Sequence, residues 1–202
     1  MIDMHKHKAE FARAIQNGHY EANDDGILLR GSNVFIGGAL KFKDYRAMST
    51  ELAAIKNNML LAQGLTHILN VVMPPSGGYA QVTQWYFAPF SGNYTPNPAH
   101  TAAQLPAAST EFTNYTASAR LPVTISAAST GASTGNTGNE AQCIFSGAGP
   151  YNIYGVNIVS SSAKSATTGI ALASIRLATP KLGFVDGEKV GFEYVLSAAD
   201  AG

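Results

Sequence analysis

Apolar residues at every second position recur through the last two thirds of the chain, and that period restricts what it can fold into. Val190, Phe192, Tyr194 and Leu196 follow it, as do Tyr154, Val156 and Ile158; Leu121, Val123 and Ile125; and Cys143 with Phe145. Successive side chains of a strand point to opposite faces, so each run presents one apolar face to a core. The run Val82-Thr83-Gln84-Trp85-Tyr86-Phe87 is rich in β-branched and aromatic residues and predicts a strand buried on both sides. Residues 170–177 predict another strand, ended by Pro180, and Asp186-Gly187 marks the turn before the last one. Six such strands, separated by polar loops at 91–110, 126–139 and 160–168, predict a mainly β fold. The expected architecture is an antiparallel β-sandwich, Ig-like or jelly-roll, over residues 76–202.

The first 75 residues read differently. Residues 9–15 carry Phe11, Ala14 and Ile15 on one helical face, a helix that is marginal unless it orders on a partner. Ile27-Leu28-Leu29, Val34-Phe35-Ile36 and residues 39–42 predict short strands, punctuated by glycine. Met48, Leu52, Ile55 and Met59 recur at helical spacing and predict an amphipathic helix, with Ser49 or Thr50 as cap and Gly64 just past its end. Residues 65–73 fit either a short helix or a strand. Pro74-Pro75-Ser76-Gly77-Gly78 then breaks the chain. The expected organisation is an N-terminal arm, short strands and helix over 1–75, serving attachment and oligomerisation, followed by the β domain.

Charge excludes some partners. Only 13% of the 202 residues are charged, and 13 Lys and Arg balance 13 Asp and Glu. Such a chain has no electrostatic reason to seek nucleic acid or an anionic membrane, and near-zero net charge favours association. Residues 1–67 hold eight basic and seven acidic residues, against five and six in the remainder, so the first third is the more polar contact surface. The first ten residues carry no apolar signal core, and the chain is expected to be soluble and made in a cytoplasm. The single cysteine, Cys143, sits in an apolar run and reads as a buried structural thiol.

Chemistry-bearing motifs are scarce. The sequence has no phosphate-binding glycine loop, dinucleotide fingerprint, His-Glu-x-x-His or nucleophile elbow. His5 and His7 can face the same way on an extended chain, but a terminal tail is the simpler account of them. His67 beside Ile68-Leu69 reads as a core histidine, and His100 lies in a Pro-rich loop. Asp24-Asp25-Gly26 lacks the alternating oxygen ligands of a calcium loop and reads as a turn. Trp85, Tyr86, Phe87 and Phe90 could form a carbohydrate platform, yet aromatic strands more often anchor cores. No catalytic residue, metal site or cofactor is expected.

Several of these segments resemble one family. Val82-Thr83-Gln84-Trp85-Tyr86 resembles the Leu-Thr-x-Trp-Tyr strand of small structural proteins of tailed bacteriophages. Glu111-Phe112-Thr113-Asn114-Tyr115, followed by Ala119-Arg120-Leu121, is similar to their Trp-x-Glu-φ-x-x-Tyr segment and the Arg-containing strand after it. Thr110 stands where that family has its aromatic residue. Tyr154-Gly155-Val156 corresponds to an Ile-x-Gly strand, and Gly187-Glu188-Lys189-Val190-Gly191-Phe192-Glu193-Tyr194 to the terminal strand. The resemblance covers residues 80–197. It implies a non-enzymatic virion component, either capsid decoration or a neck-collar protein. Its partners would be copies of itself and major capsid, portal or neck proteins. Attachment is expected through Phe11, Ile15, Val34, Phe35, Leu52, Ile55 and Met59. The alternative is a carbohydrate- or receptor-binding module of a fibre or adhesin.

Overall fold

A computed structural model describes residues 20–23, 26–29, 34–47, 55–125 and 131–200. In chain order these form β1 (Tyr20–Asn23), β2 (Gly26–Leu29), β3 (Val34–Asp44), β4 (Ile55–Leu60), α1 (Ala62–Val72), β5 (Tyr86–Phe90) and α2 (Leu105–Ala108). There follow β6 (Leu121–Pro122), β7 (Ser133–Gly135), β8 (Ala141–Ile144), β9 (Tyr151–Val159), β10 (Ala171–Phe184) and β11 (Lys189–Asp200). The fold is mainly β, in two antiparallel sheets. One has the order β1-β2-β3-β11-β7, with β8 also on β11, and the other β4-β10-β9-β5-β6.

The alternation of the last strand becomes a ladder. β11 pairs with β3 from Val190↔Asp44 to Asp200↔Val34 without a break. Leu40, Phe42, Val190, Phe192 and Tyr194 are thereby buried on one face, while Lys41, Lys43, Lys189 and Glu193 fall on the other. Phe192 stacks on Phe87 of the second sheet at 5.6 Å and meets Phe42 edge-on at 5.5 Å. Phe145 and Phe184 stack at 4.3 Å. The two sheets thus share one core, and burying each such phenyl ring stabilises the fold by about 1.5–3 kcal/mol.

The second sheet is covered on both faces. Phe90, Tyr94, Ala102, Leu105, Val159 and Ala171 belong to a second cluster, built where residues 91–108, including α2, fold over the sheet. Continuous burial of Gly155–Val159 and of Ala171–Ile175 follows, because neither face of these strands meets water. A strand buried on both sides does occur in β5, where Phe87 to Phe90 are all buried, but it lies later than the expected run 82–87, of which only Phe87 is buried.

Several elements differ from expectation. Residues 55–60 are a strand, not the end of a helix: Met59 pairs with Ser174 and Leu60 with Ala173 of β10. Asn57 and Asn58 are poor helix formers, and a ladder with β10 is available. Met48 and Leu52 lie outside the described residues. The helix comes later, as α1, and Gly64 is inside it rather than beyond its end. A Cβ at Gly64 would lie 2.6 Å from Leu172 Cα, so glycine is there because the helix lies directly on β10. Pro180 does not end its strand. The β9–β10 register shifts between Arg176 and Lys181, and the proline occupies that gap, where no ladder N–H is required. The strand expected from Val82 begins only at Tyr86, because the Val82 N–H is directed to His67 instead of a ladder. Leu121 and Val123 are buried, but Ile125 is 44% exposed, and β6 is only two residues long. The loop at 126–139 includes β7.

Strands from both sides of Pro74-Pro75 share each sheet, β3 with β11 and β4 with β10. The expected helix at 9–15 lies outside the described residues.

Candidate functional site

Of the residues expected to mediate attachment, Val34 and Phe35 are in a strand as expected, whereas Ile55 and Met59 are in a strand and not on the expected helix. Val34 and Phe35 are in β3, where Phe35 pairs with both Leu28 and Ala199. Ile55 and Met59 are in β4, an outer member of the second sheet. Phe11, Ile15 and Leu52 lie outside the described residues. Four of the seven are therefore strand residues in N-terminal elements, and Val34 and Phe35 sit where the β1–β2 hairpin joins the sheet.

Carboxylates with described side chains are already engaged. Asp44 accepts from Arg46 at 2.8 Å; burial raises its pKa, but the Arg46 hydrogen bonds and charge outweigh this and hold it below the ordinary value. Glu193 pairs with Lys41 at 3.0 Å, Glu140 accepts from the Tyr45 hydroxyl, Asp186 from the Gly147 N–H, and Glu188 from the Val185 N–H. Cys143 is fully buried, and burial pushes its thiol up to about 12, which makes it inert as a nucleophile at neutral pH. Among the described residues no group of three or more His, Cys, Asp or Glu side chains converges as a metal site would require.

The aromatic group is divided: two of its members are core, and Trp85 and Tyr86 are half-buried. Phe87 and Phe90 are fully buried, while Trp85 packs edge-on against His67 at 5.7 Å. His67 is 4% exposed and accepts the Val82 N–H through Nε2, which leaves Nδ1 to donate to the Tyr79 hydroxyl. Burial lowers its pKa, because the charged imidazolium would be desolvated and would face the Val82 donor. His100, read as a loop residue, stacks on Tyr94 and shares a 2.9 Å hydrogen bond with its hydroxyl.

The most built-up polar feature joins two loops. Glu111 and Arg120, whose side chains are each 2% exposed, form a bidentate pair at 2.9 and 2.6 Å. Arg120 also donates to the Ser161 and Ala166 carbonyls, and Glu111 accepts the Ser165 N–H. Lys164 donates to the Thr113 and Tyr115 carbonyls from above the Tyr115 ring. These contacts clamp residues 111–120 to the loop 160–169. The pair was not expected from the sequence, although nine residues separate an acid and an Arg in a charge-poor region, which is the signal that marks it.

On the other side of residues 111–114 lies an open cleft of about 380 Å³. Ser91, Thr113, Asn114, Pro150, Tyr151 and Asn152 reach its walls. Tyr151 is fixed: its hydroxyl donates to the Ser146 carbonyl and accepts from Asn114 Nδ2, and Phe112 and Phe145 pack on its ring. Gly147 permits this, since a Cβ there would stand 2.7 Å from the Tyr151 hydroxyl. Exposed apolar residues lie elsewhere: Val72 at the end of α1, Tyr79 after it, Ile125, Leu182 near the end of β10 and Val185 just beyond it. No described helix is long and apolar enough to cross a membrane.

Comparison with known protein families, with curated proteins and with solved structures found no match to this chain.

Proposed function

We propose that the chain is a non-enzymatic structural protein of a tailed-phage virion. It assembles with copies of itself and with capsid, portal or neck proteins, as capsid decoration or as a neck-collar component. In this reading its two sheets form a β-sandwich of the Ig-like or jelly-roll kind, and its N-terminal third carries attachment.

The observation that carries the reading is the uneven joining of that third to the rest. The β1–β2 hairpin meets β3 through two registered pairs, Ile27↔Ile36 and Leu28↔Phe35. β3 itself is zipped to β11 along its whole length. A hairpin held at a sheet edge by so short a ladder can exchange that edge for a neighbour's, because its backbone hydrogen bonds are remade there. The resemblance over residues 80–197 gains support from the positions of its motif residues. Val190, Phe192 and Tyr194 form the buried face of β11, and the acid and Arg of the middle motif are the Glu111–Arg120 pair.

The test is the copy number and position of the chain in purified particles, by quantitative mass spectrometry and electron microscopy. A stoichiometry matching the capsid lattice indicates decoration, and one matching a single ring indicates the neck. Absence from purified particles refutes the proposal. A deletion of residues 1–33 removes β1 and β2 from the first sheet but spares β3, and it is expected to abolish incorporation while leaving the β3–β11 ladder and the second sheet in place.

A further inference from the structure

We propose that the cleft beside residues 111–114 is a binding subsite for a neutral saccharide, a hexose or N-acetylhexosamine unit of a surface glycan. The inference does not rest on the virion reading. It rests on what the cleft offers and on what it withholds.

Its walls offer uncharged polar groups on a fixed frame. The Asn114 and Asn152 amides, the Ser91 and Thr113 hydroxyls and the Tyr151 ring line about 380 Å³, within the range of about 300–1,000 Å³ typical of small-molecule sites. Asn152 uses its amide oxygen to accept the Gly183 N–H, so its amide N–H groups are the ones turned to use. Asn114 is held by its bond to the Tyr151 hydroxyl. Planar amides beside a half-buried aromatic ring match a sugar, which presents adjacent hydroxyls at its rim and C–H groups on its faces. Because these groups are already positioned, binding costs little ordering entropy.

The cleft withholds charge. Glu111 belongs to its wall, yet its carboxylate is turned away into the Arg120 pair and the Ser165 N–H. No Lys or Arg is among the residues that line the cleft, and Lys164 of the 160–169 loop is committed to the Thr113 and Tyr115 carbonyls. A phosphate, sulfate or carboxylate ligand would meet no counter-ion.

The test is titration of the full-length protein, observed by amide NMR, with glucose, galactose and N-acetylglucosamine and with a trisaccharide of each. Glucose 6-phosphate and N-acetylneuraminic acid serve as charged controls. At least one neutral sugar is expected to give saturable shifts confined to residues 91, 113–114 and 151–152, in the millimolar range or tighter. Asn152→Asp keeps the acceptor for the Gly183 N–H and removes the amide donors, and it is expected to weaken binding about tenfold with an unchanged urea midpoint. Tyr151→Leu, which removes the ring, provides a second loss of binding. The proposal is overturned if no neutral sugar gives saturable shifts, if the shifts centre on Trp85, or if the charged controls bind as well. It is overturned equally if Asn152→Asp binds like the parent.

Discussion

Replacing Arg120 with alanine tests whether the loops at 111–120 and 160–169 are held by the buried pair. Arg120 makes two bonds to Glu111, at 2.9 and 2.6 Å, and one each to the Ser161 and Ala166 carbonyls, both at 3.1 Å. With both side chains 2% exposed, solvent cannot substitute for the guanidinium. The alanine variant leaves a buried carboxylate with the Ser165 N–H as its remaining donor. Breaking a buried ion pair from one side costs about 3–5 kcal/mol, and the lost carbonyl bonds are part of that figure. At about 2–4 °C per kcal/mol for a domain of this size, Tm falls by about 6–20 °C. Urea unfolding, followed by Trp85 fluorescence and by far-ultraviolet circular dichroism, gives the free energy directly. The paired control is Glu111→Leu with Arg120→Met, which removes both charges at similar volume and is expected to stay within about 2 kcal/mol of the parent. A loss below about 1 kcal/mol for Arg120→Ala would refute the burial argument. Should the double variant fall as far as the single one, the clamp works through its hydrogen bonds to the 160–169 loop and not through charge compensation.

Three further outcomes are expected. Gly64→Ala should destabilise, since overpacking against Leu172 costs about 1–3 kcal/mol while helix propensity returns only about 1 kcal/mol; a more stable variant would contradict the close approach of α1 to β10. His67 has a folded-state pKa below its unfolded value of about 6.5, so the unfolded chain takes up the proton first. Stability is therefore full above that pH and falls by up to about 1.4 kcal/mol per unit as the pH drops from 6.5 towards the folded pKa. His67→Gln flattens this slope in urea titrations, and an unchanged slope would show that another group is responsible. Cys143, raised to about 12 by burial, should ignore a thiol reagent such as DTNB in the native state and react once urea unfolds the chain; native labelling at the unfolded rate would disprove its burial.

Period-two alternation was a sound guide where one face of a strand meets the core, as with Val190, Phe192 and Tyr194. It misled where a neighbour decided the outcome. Met48, Leu52, Ile55 and Met59 have helical spacing, but residues 55–60 are drawn into the ladder of β10, a partner more than a hundred residues away. Gly64 reads as a terminator because glycine is common there, whereas its role depends on the backbone of Leu172. Pro180 reads as a strand end, and only a register shift against β9 accommodates it. The cleft was illegible for a similar reason. Ser91 and Asn114 are loop residues and Asn152 lies in β9, none of them marked by its sequence context, and a turn at Gly147 and a clamp at Arg120 bring them to one place. What the sequence did carry was the scarcity of charge, which made each acid worth tracing to its partner.

That scarcity bears on how the N-terminal third can serve attachment. In a simple arm-plus-domain chain the arm could be removed without touching the fold. Here β3 supplies Leu40 and Phe42 to the shared core and occupies one edge of β11 from Val190 to Asp200. Removing residues up to 45 would strip that edge and uncover Phe192 and Tyr194, leaving β11 held by β7 and β8 on its other edge alone. Loss of assembly after such a deletion would say nothing about attachment. The hairpin before β3 is the smaller perturbation, because it is tied to the first sheet by two registered pairs and otherwise approaches mainly β4 among the described strands. A deletion ending at residue 33 therefore tests the proposed attachment with less damage to the fold than one ending at residue 45.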